Sequence, residues 1–285
     1  MKNKVLITGG LGQLGIAFQE RFLKDRVDFC SADKQDFDIS DIDQAQELIK
    51  QTRPDFIVNC AAYNLVDKAE DDPKEAFLVN REGVKNLALL CREKGIFLVH
   101  YGTDYIFDGK KGKPYTEEDA SNPLNQYGIS KLAGEKAVEE ILSDYLIFRV
   151  SWVFGKGKQN FLYKLNEWVQ KSNALQITDD EISVPTSVDD IVEGTMRAMK
   201  KSLVGLYHMP NSGLCSRYEW AKYFFERMQK KIDIKPVSLE SFNLKAKRPK
   251  FSAMSNEKVC QLLNWNMPSW QKSVESFISL KQGKY

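Results

Sequence analysis

Tyr127 and Lys131 stand four residues apart in "NQYGISKLAGE", residues 125 to 135, a stretch that reads as the first turns of a helix after the loop signal Asn122-Pro123. At i and i+4 the two side chains share one helix face. A phenol with an ordinary pKa of about 10 is a poor acid at neutral pH, and a neighbouring ammonium favours the phenolate and brings that value toward the working range. Such a pair can pass a proton to a carbonyl oxygen. By spacing alone it is equally an exposed helix pair, so its meaning depends on what precedes it.

The chain begins with "VLITGGLGQLG": a strand, then Gly9-x-x-Gly12-x-x-Gly15, then a helix. Backbone amides and a helix N-terminus there converge on an anion, which is the dinucleotide fingerprint in its wider spacing. The competing reading is a merely tight turn between strand and helix. The second strand ends at Asp33, where an acid can hold a ribose diol. Lys34 follows and could meet a 2′-phosphate, which leaves NADH and NADPH both open. Asp38 and Ile39 come at the right distance to flank an adenine, although an acid in a polar loop is as readily solvated. "NCAAYN", residues 59 to 64, ends the third strand with small Ala61 and Ala62, which allow either close passage of a cofactor or tight packing on the first helix. Asn80 falls mid-helix, a mildly unfavourable place that implies backbone bonding or simple exposure. Thr103 closes the fourth strand, at the carboxyl edge where open α/β sheets bind ligands.

Trp152, just beyond the fifth strand, offers an aromatic face for a sugar or base, or belongs to the core. Arg248 and Lys250 in "KAKRPKFS" are candidates for a diphosphate, or form a basic solvated loop.

These residues need a frame. Up to about residue 151, short β-rich runs such as "KVLIT", "DFIVNC" and "YLIFRVSW" alternate with long amphipathic segments. That rhythm predicts an α/β fold, a doubly wound, Rossmann-like parallel sheet. Residues 1–155 are expected to form the dinucleotide-binding domain and 156–285 a smaller, mixed substrate-binding domain, with a strand near 205–209 returning to the first sheet. The 285 residues carry 41 basic and 39 acidic side chains spread evenly, a net charge of +2 that gives no reason to invoke nucleic acid or a membrane surface. Five scattered cysteines fit a reduced cytoplasm rather than a metal pair or a disulfide framework. The apolar run at the start is too short for a signal segment and reads as the first strand of a soluble protein.

A dinucleotide loop, a hydroxyl residue closing the fourth strand and Tyr-x-x-x-Lys occur in that order in the extended short-chain dehydrogenase/reductase superfamily, which the chain resembles. Longer phrases narrow this: "GGLGQLG", "NCAAYNLVDKAEDDP", "TDYIFDG", "PLNQYGISKLAGE", "RVSWVFG", "NF" at 160–161, "GLCSRYEWA" and "RPKFSAMSNEKV" together resemble the dTDP-4-dehydrorhamnose reductase family over nearly the whole chain. The resemblance implies reduction of the 4-keto group of a dTDP-6-deoxyhexulose by NADPH or NADH, a step toward cell-surface polysaccharide. It implies that Gly12, Gln13, Leu14, Asp33, Asp38, Ile39, Ala62, Tyr63 and Asn64, with Tyr127 and Lys131, hold the cofactor, beside Gly9, Gly15, Lys34 and Ala61 from the loop readings. Tyr127 would be the proton donor, and Lys131 would tune it while holding the nicotinamide ribose. Thr103 would bond the carbonyl, and Asp104, Trp152, Asn160 and Arg248 would complete the nucleotide-sugar site. No metal is expected, because Ala17 stands where some members place a glutamate that binds Mg²⁺ at a dimer contact; a homodimer is left open.

Departures bear on the substrate. Gly102 replaces the family's usual Ser, Asn64 its Thr, and "EISVPT" at 181–186 keeps only Pro185 and Thr186 of the usual pattern. A 4,6-dehydratase is disfavoured because Tyr105 stands where that family carries Glu. Two other readings remain: an epimerase, and a cofactor-binding regulatory subunit like the partner of methionine adenosyltransferase.

Overall fold

The computed structural model describes residues 4–172 and 174–282. Its first half alternates as β1 (Lys4–Thr8), α1 (Gln13–Asp25), β2 (Asp28–Ala32), α2 (Ile42–Thr52), β3 (Phe56–Asn59), α3 (Val66–Asp71), α4 (Pro73–Phe77), α5 (Val84–Lys94), β4 (Phe97–Thr103), α6 (Gln126–Ile141) and β5 (Tyr145–Val150). Local chemistry sets several of these limits. The Asp41 carboxylate caps α2 by accepting from the Asp43 and Gln44 amides, Pro73 opens α4, and Gly95 in the left-handed region closes α5. Between α4 and α5 the chain widens into a π-helical turn, Leu78–Gly83, which carries Asn80 inward. The second strand stops at Ala32, one residue earlier than expected. Asp33 leaves the ladder because its carboxylate turns back to accept from the Leu11 and Lys34 amides.

Beyond β5 come β6 (Val153–Phe154), α7 (Phe161–Val169), β7 (Ala174–Thr178), β8 (Ile182–Ser183), β9 (Thr186–Ser187), α8 (Val188–Lys200), β10 (Gly205–His208), β11 (Cys215–Ser216), α9 (Arg217–Arg227), β12 (Asp233–Val237), α10 (Glu257–Leu263) and α11 (Trp270–Gln282). The strand anticipated near 205–209 lies parallel beside β5 and completes a six-stranded sheet in the order β10-β5-β4-β3-β1-β2, all pairs parallel. α8 packs on α1 over the same face. Residues 188–208 therefore belong spatially with the first half.

Strand residues alternate between two buried faces, as a sheet covered on both sides requires. Val5 and Ile7 join Phe18, Phe22 and Ile191 under α1 and α8, whereas Leu6 joins Ala45, Leu87 and Val138 under α2, α5 and α6. A third core of Phe154, Trp220, Phe224 and Trp270 supports the elements after β5. β1 lies between β2 and β3, so the connections leave the carboxyl edge in opposite directions there and open a crevice.

Candidate active site

The crevice is a cavity of about 340 Å³ whose wall includes Gly9, Gly12, Asp33, Lys34, Asp38, Ile39 and the run from Ala61 to Asn64. Gly9 has φ +67, and a Cβ there would fall 2.6 Å from the Ala61 amide nitrogen. A Cβ on Gly15 would fall 2.4 Å from the Gly9 carbonyl. Side chains would fill this cradle, so its glycines are required sterically as well as for anion approach. Gly12 begins α1 without a side-chain cap, which leaves the first-turn amides facing the crevice. Gln13 donates to the Val153 carbonyl at 3.2 Å and joins the loop after β5 to α1. Leu14 packs toward the sheet. Asp38 stays below the usual carboxylate range, chiefly through the Ser40 hydroxyl. Ile39 is buried against Gly83. The fit to a dinucleotide is thus one of backbone cradle, small wall and terminal acid, with Gln159 and Glu75 as unanticipated wall residues.

Asn80 resolves its ambiguity inward. It is 1% exposed, accepts from the Tyr63 amide at 2.9 Å, and donates to the Tyr63 carbonyl and the Ser130 hydroxyl, both at 3.0 Å. One carboxamide thereby ties the wall of the crevice to α6.

Thr103 ends β4 and caps a single 3₁₀ turn, Asp104–Ile106. Asn125 caps α6 by accepting from the Gly128 amide at 2.8 Å. Gly128 lies so close to that turn that a Cβ would fall 2.3 Å from the Tyr105 carbonyl. This contact brings Tyr127 beside Thr103, with its hydroxyl also donating to Asn64 at 3.4 Å. Lys131 is 3% exposed and its ammonium donates to the Tyr101 carbonyl at 2.6 Å. Tyr127 therefore meets Thr103 and, through Asn64, the wall of the glycine-lined crevice, with Lys131 one turn further along α6.

The charge state differs from the sequence expectation. Burial pushes Tyr127 up to about 12, against the pull of a hydrogen bond with Thr103, and Asp104 and Glu135 push the same way as burial. Burial likewise brings Lys131 down to about 8, with Glu135 opposing. In the protein alone the ammonium does not lower the phenol, because it is turned onto the β4 backbone. Tyr127 is consequently a fully protonated donor at neutral pH.

Asp104 is 2% exposed; burial raises it to about 6, against hydrogen bonds from the Ser252 and Ser183 hydroxyls at 2.5 and 2.8 Å. Trp152 has φ 42 and stacks parallel on Trp220, with the Arg217 guanidinium 3.7 Å over its ring. It walls a second cavity of about 460 Å³ with Arg217, Glu181, Trp168 and Arg248. Asn160 also lines this cavity, but its carboxamide caps α7 and holds the Gly155 and Gly157 carbonyls. Arg248 forms a forked ion pair with Asp67 on α3. Lys250 pairs with Asp180 and Glu240 at an exposed rim.

Of the departures, Asn64 touches Tyr127, and "EISVPT" supplies Glu181, bonded by Tyr105 at 3.3 Å, and Ser183. Gly102 instead faces Glu135 and Arg149, away from both cavities. Arg217, Glu181, Ser183 and Ser252 were missed as individual residues; Arg217 and Ser252 lie inside phrases shared with the resembled family, whereas Glu181 and Ser183 lie in a stretch that departs from it. Among the described residues, no group of three or more His, Cys, Asp or Glu is arranged to hold a metal, and no helix is long and apolar enough to cross a membrane. A larger cavity of about 660 Å³ sits at the opposite edge of the sheet, by Val5 and Phe56, and contains none of the anticipated residues.

Comparison with known proteins adds an independent measure. A family model described as "RmlD substrate binding domain" matches residues 2–282. A dTDP-4-dehydrorhamnose reductase of Sinorhizobium fredii (strain NBRC 101917 / NGR234) is 34% identical over 286 residues, 96% of each chain. The enzyme of that name from Escherichia coli (strain K12) is 33% identical over 297 residues, covering 96% of this chain and 97% of its own. Among solved structures, dTDP-4-dehydrorhamnose reductase from Bacillus anthracis str. Ames, in complex with NADP, superposes with a TM-score of 0.95 at 37% identity, covering 98% of this chain and all of that one.

Proposed function

The chain belongs to the dTDP-4-dehydrorhamnose reductase family, that of the RmlD substrate binding domain, and from that premise we propose that it reduces the 4-keto group of dTDP-4-dehydrorhamnose with NADPH or NADH. The observation that carries this reading is the meeting of Tyr127 with Thr103 and with Asn64 of the crevice wall, one turn of α6 from Lys131. In the crevice the α1 amides beside Gly9, Gly12 and Gly15 would hold the pyrophosphate, Asp33 and Lys34 the adenosine ribose, and Ala61 to Asn64 the run toward the nicotinamide. A reduced nicotinamide bound there supplies the hydride for the carbonyl carbon, and the protein contributes placement and protons.

Thr103 orients the carbonyl by donating to its oxygen. Tyr127, protonated because its phenol stays near 12, gives its proton to that oxygen as negative charge develops, and an alkoxide is the stronger base of the two. Lys131 would hold the nicotinamide ribose, and its ammonium would stabilise the phenolate left behind only on leaving the Tyr101 carbonyl. In the second cavity Trp152, its ring already carrying Trp220 and the Arg217 guanidinium, would wall the sugar pocket, and Arg217 and Arg248 would meet the diphosphate. Asn160 lines that cavity, and Asp104 accepts from Ser183 and Ser252 outside its wall. We assign the dinucleotide role to residues 1–155 together with β10, and substrate binding chiefly to 156–285.

Purified protein mixed with NADPH and enzymatically made dTDP-4-keto-6-deoxy sugar, supplied with its 3,5-epimerase, should consume the near-ultraviolet absorbance of the reduced cofactor. Tyr127→Phe should lower kcat by about 10²–10⁴-fold, the usual range for a general acid, and leave NADPH affinity nearly unchanged. A flat trace with active coupling enzymes refutes the assignment. An epimerase would instead keep tightly held NAD with no net consumption, and a regulatory subunit would co-purify with a synthetase and turn over no keto sugar. A homodimer and a cytoplasmic setting are further proposals, tested by sedimentation velocity and cell fractionation.

A further inference from the structure

The Tyr101–Gly102 peptide of β4 is approached from α6 by two charged side chains one helical turn apart. Lys131 Nζ donates to the Tyr101 carbonyl at 2.6 Å. Glu135 Oε1 rests against Gly102, where a Cβ on the glycine would fall 2.0 Å from it. The space is there because residue 102 has no side chain. Both charged groups are buried, at 3% and 0% exposure.

Arg149 on β5 already pairs with Glu135, yet in an unusual way. Its Nε and Nη2 both donate to one oxygen, Oε2, at 3.0 and 2.8 Å. A fork that served the arginine alone would engage both carboxylate oxygens. Oε1 instead accepts no hydrogen bond among the described residues. A buried carboxylate oxygen in that state is costly unless a positive charge lies near it.

The neighbours of Lys131 leave one acid in that role. On α6 it has the neutral phenol of Tyr127 above and Glu135 below, with Glu139 a turn further on. From β4 it meets His100, which burial keeps neutral, and the Tyr101 carbonyl. From β5 comes Arg149, a like charge, backed by neutral His208 on β10. The turn after β4 brings Asp104 and the Tyr105 phenol on the far side of Tyr127. From the π-helical turn comes neutral Asn80, and Glu70 of α3 bonds the Gln126 amide at the start of the helix. Of these groups, Glu135 is the one that raises the proton affinity of Lys131 against burial.

We propose that Glu135 is a positioning residue of the reaction: through its free Oε1 it is the buried counter-charge that keeps Lys131 an ammonium, and Gly102 is the gap that admits it. This rests on the reductase reading for its catalytic meaning, but the charge relation is independent of substrate and cofactor. Gly102, a departure from the family pattern, acts on charge rather than on sugar recognition.

The test is an NMR titration of the Lys131 ¹³Cε resonance in the full chain, assigned by its loss in Lys131→Arg. The wild-type midpoint is expected near pH 8. Glu135→Gln should lower it by about one unit or more, a tenfold fall in proton affinity. Gly102→Ala, which forces the carboxylate to withdraw without removing it, should also lower it, and serves if Glu135→Gln does not fold. The alkaline limb of kcat/KM should move with the midpoint wherever turnover is measurable. A purely structural role predicts the opposite sign, because loosening the site hydrates Lys131 and raises its midpoint. A midpoint that rises or stays fixed in these variants overturns the proposal; a flat activity trace with a lowered midpoint refutes only the substrate.

Discussion

Asn80→Ala tests how the crevice is joined to the catalytic helix. The carboxamide makes three hydrogen bonds, two to the Tyr63 backbone and one to Ser130, whose own hydroxyl donates to the Tyr127 carbonyl at 2.8 Å. Truncation leaves a backbone amide, a carbonyl and a hydroxyl without that partner. At about 1 kcal/mol for each bond, the lower end of the range for groups left unsatisfied, the loss is about 3 kcal/mol. For a chain of this size that corresponds to a fall in Tm of about 6–12 °C, at about 2–4 °C per kcal/mol. The freed Tyr63–Asn64 segment must also be ordered again when cofactor binds. If this takes about 1.4 kcal/mol, NADPH affinity drops tenfold. Thermal melts with and without NADPH, and a fluorescence titration of the cofactor, measure both effects. A Tm shift below about 2 °C with unchanged affinity would refute the reasoning, since about 2 °C is the smallest effect expected of a single kcal/mol. A normal affinity with a large Tm shift would confine Asn80 to packing.

Other outcomes follow from the same geometry. Gly9→Ala places a Cβ 2.6 Å from the Ala61 amide at φ +67, so NADPH binding should fall at least tenfold and stability by about 1–3 kcal/mol; calorimetric titration reads the first and urea unfolding the second. Arg217→Ala should raise KM for the sugar nucleotide by about 10–100-fold with little change in kcat, as expected for loss of about 1.5–3 kcal/mol from a charged contact; a change confined to kcat would move Arg217 out of the binding role. The two histidines are both buried neutral, and burial takes His208 down to about 3. Unfolded histidine binds a proton below about 6.5, so below that pH the unfolded state takes up more protons and stability falls as the pH drops toward 3. Both imidazole proton signals should stay still from pH 8 to 5; a midpoint between 6 and 7 for either contradicts their burial.

The sheet and the phosphate loop were legible because their signals are local. Alternating apolar runs, a glycine triplet between strand and helix, and an acid at the next strand end each occupy a few consecutive residues. Asn80 was readable only as a choice, since its partners lie 17 and 50 residues away. Arg217, Glu181 and Ser252 escaped for the same reason, being carried to Trp152, Tyr105 and Asp104 by long-range packing. The spacing of Tyr127 and Lys131 gave their shared face, whereas the charge relation expected of it is absent in the protein without cofactor. Spacing carries no information about burial, and burial is what raises the phenol and turns the ammonium onto the β4 backbone. Gly102 looked like a change in ligand recognition because its neighbours in sequence face the ligand, whereas alternation along β4 points it the other way.

Trp152 occupies a backbone conformation, φ 42, that a bulky residue avoids and glycine adopts freely. Trp152→Gly would relieve roughly 1–3 kcal/mol of local strain, yet it would empty a buried site, 8% exposed, in the core with Phe154 and Trp220, at a cost of about 3–5 kcal/mol. The same change would remove the ring over which Arg217 lies and a wall of the second cavity. Stability and the second cavity thus call for the same side chain at this residue, and packing is what holds the backbone in a conformation the residue would otherwise leave.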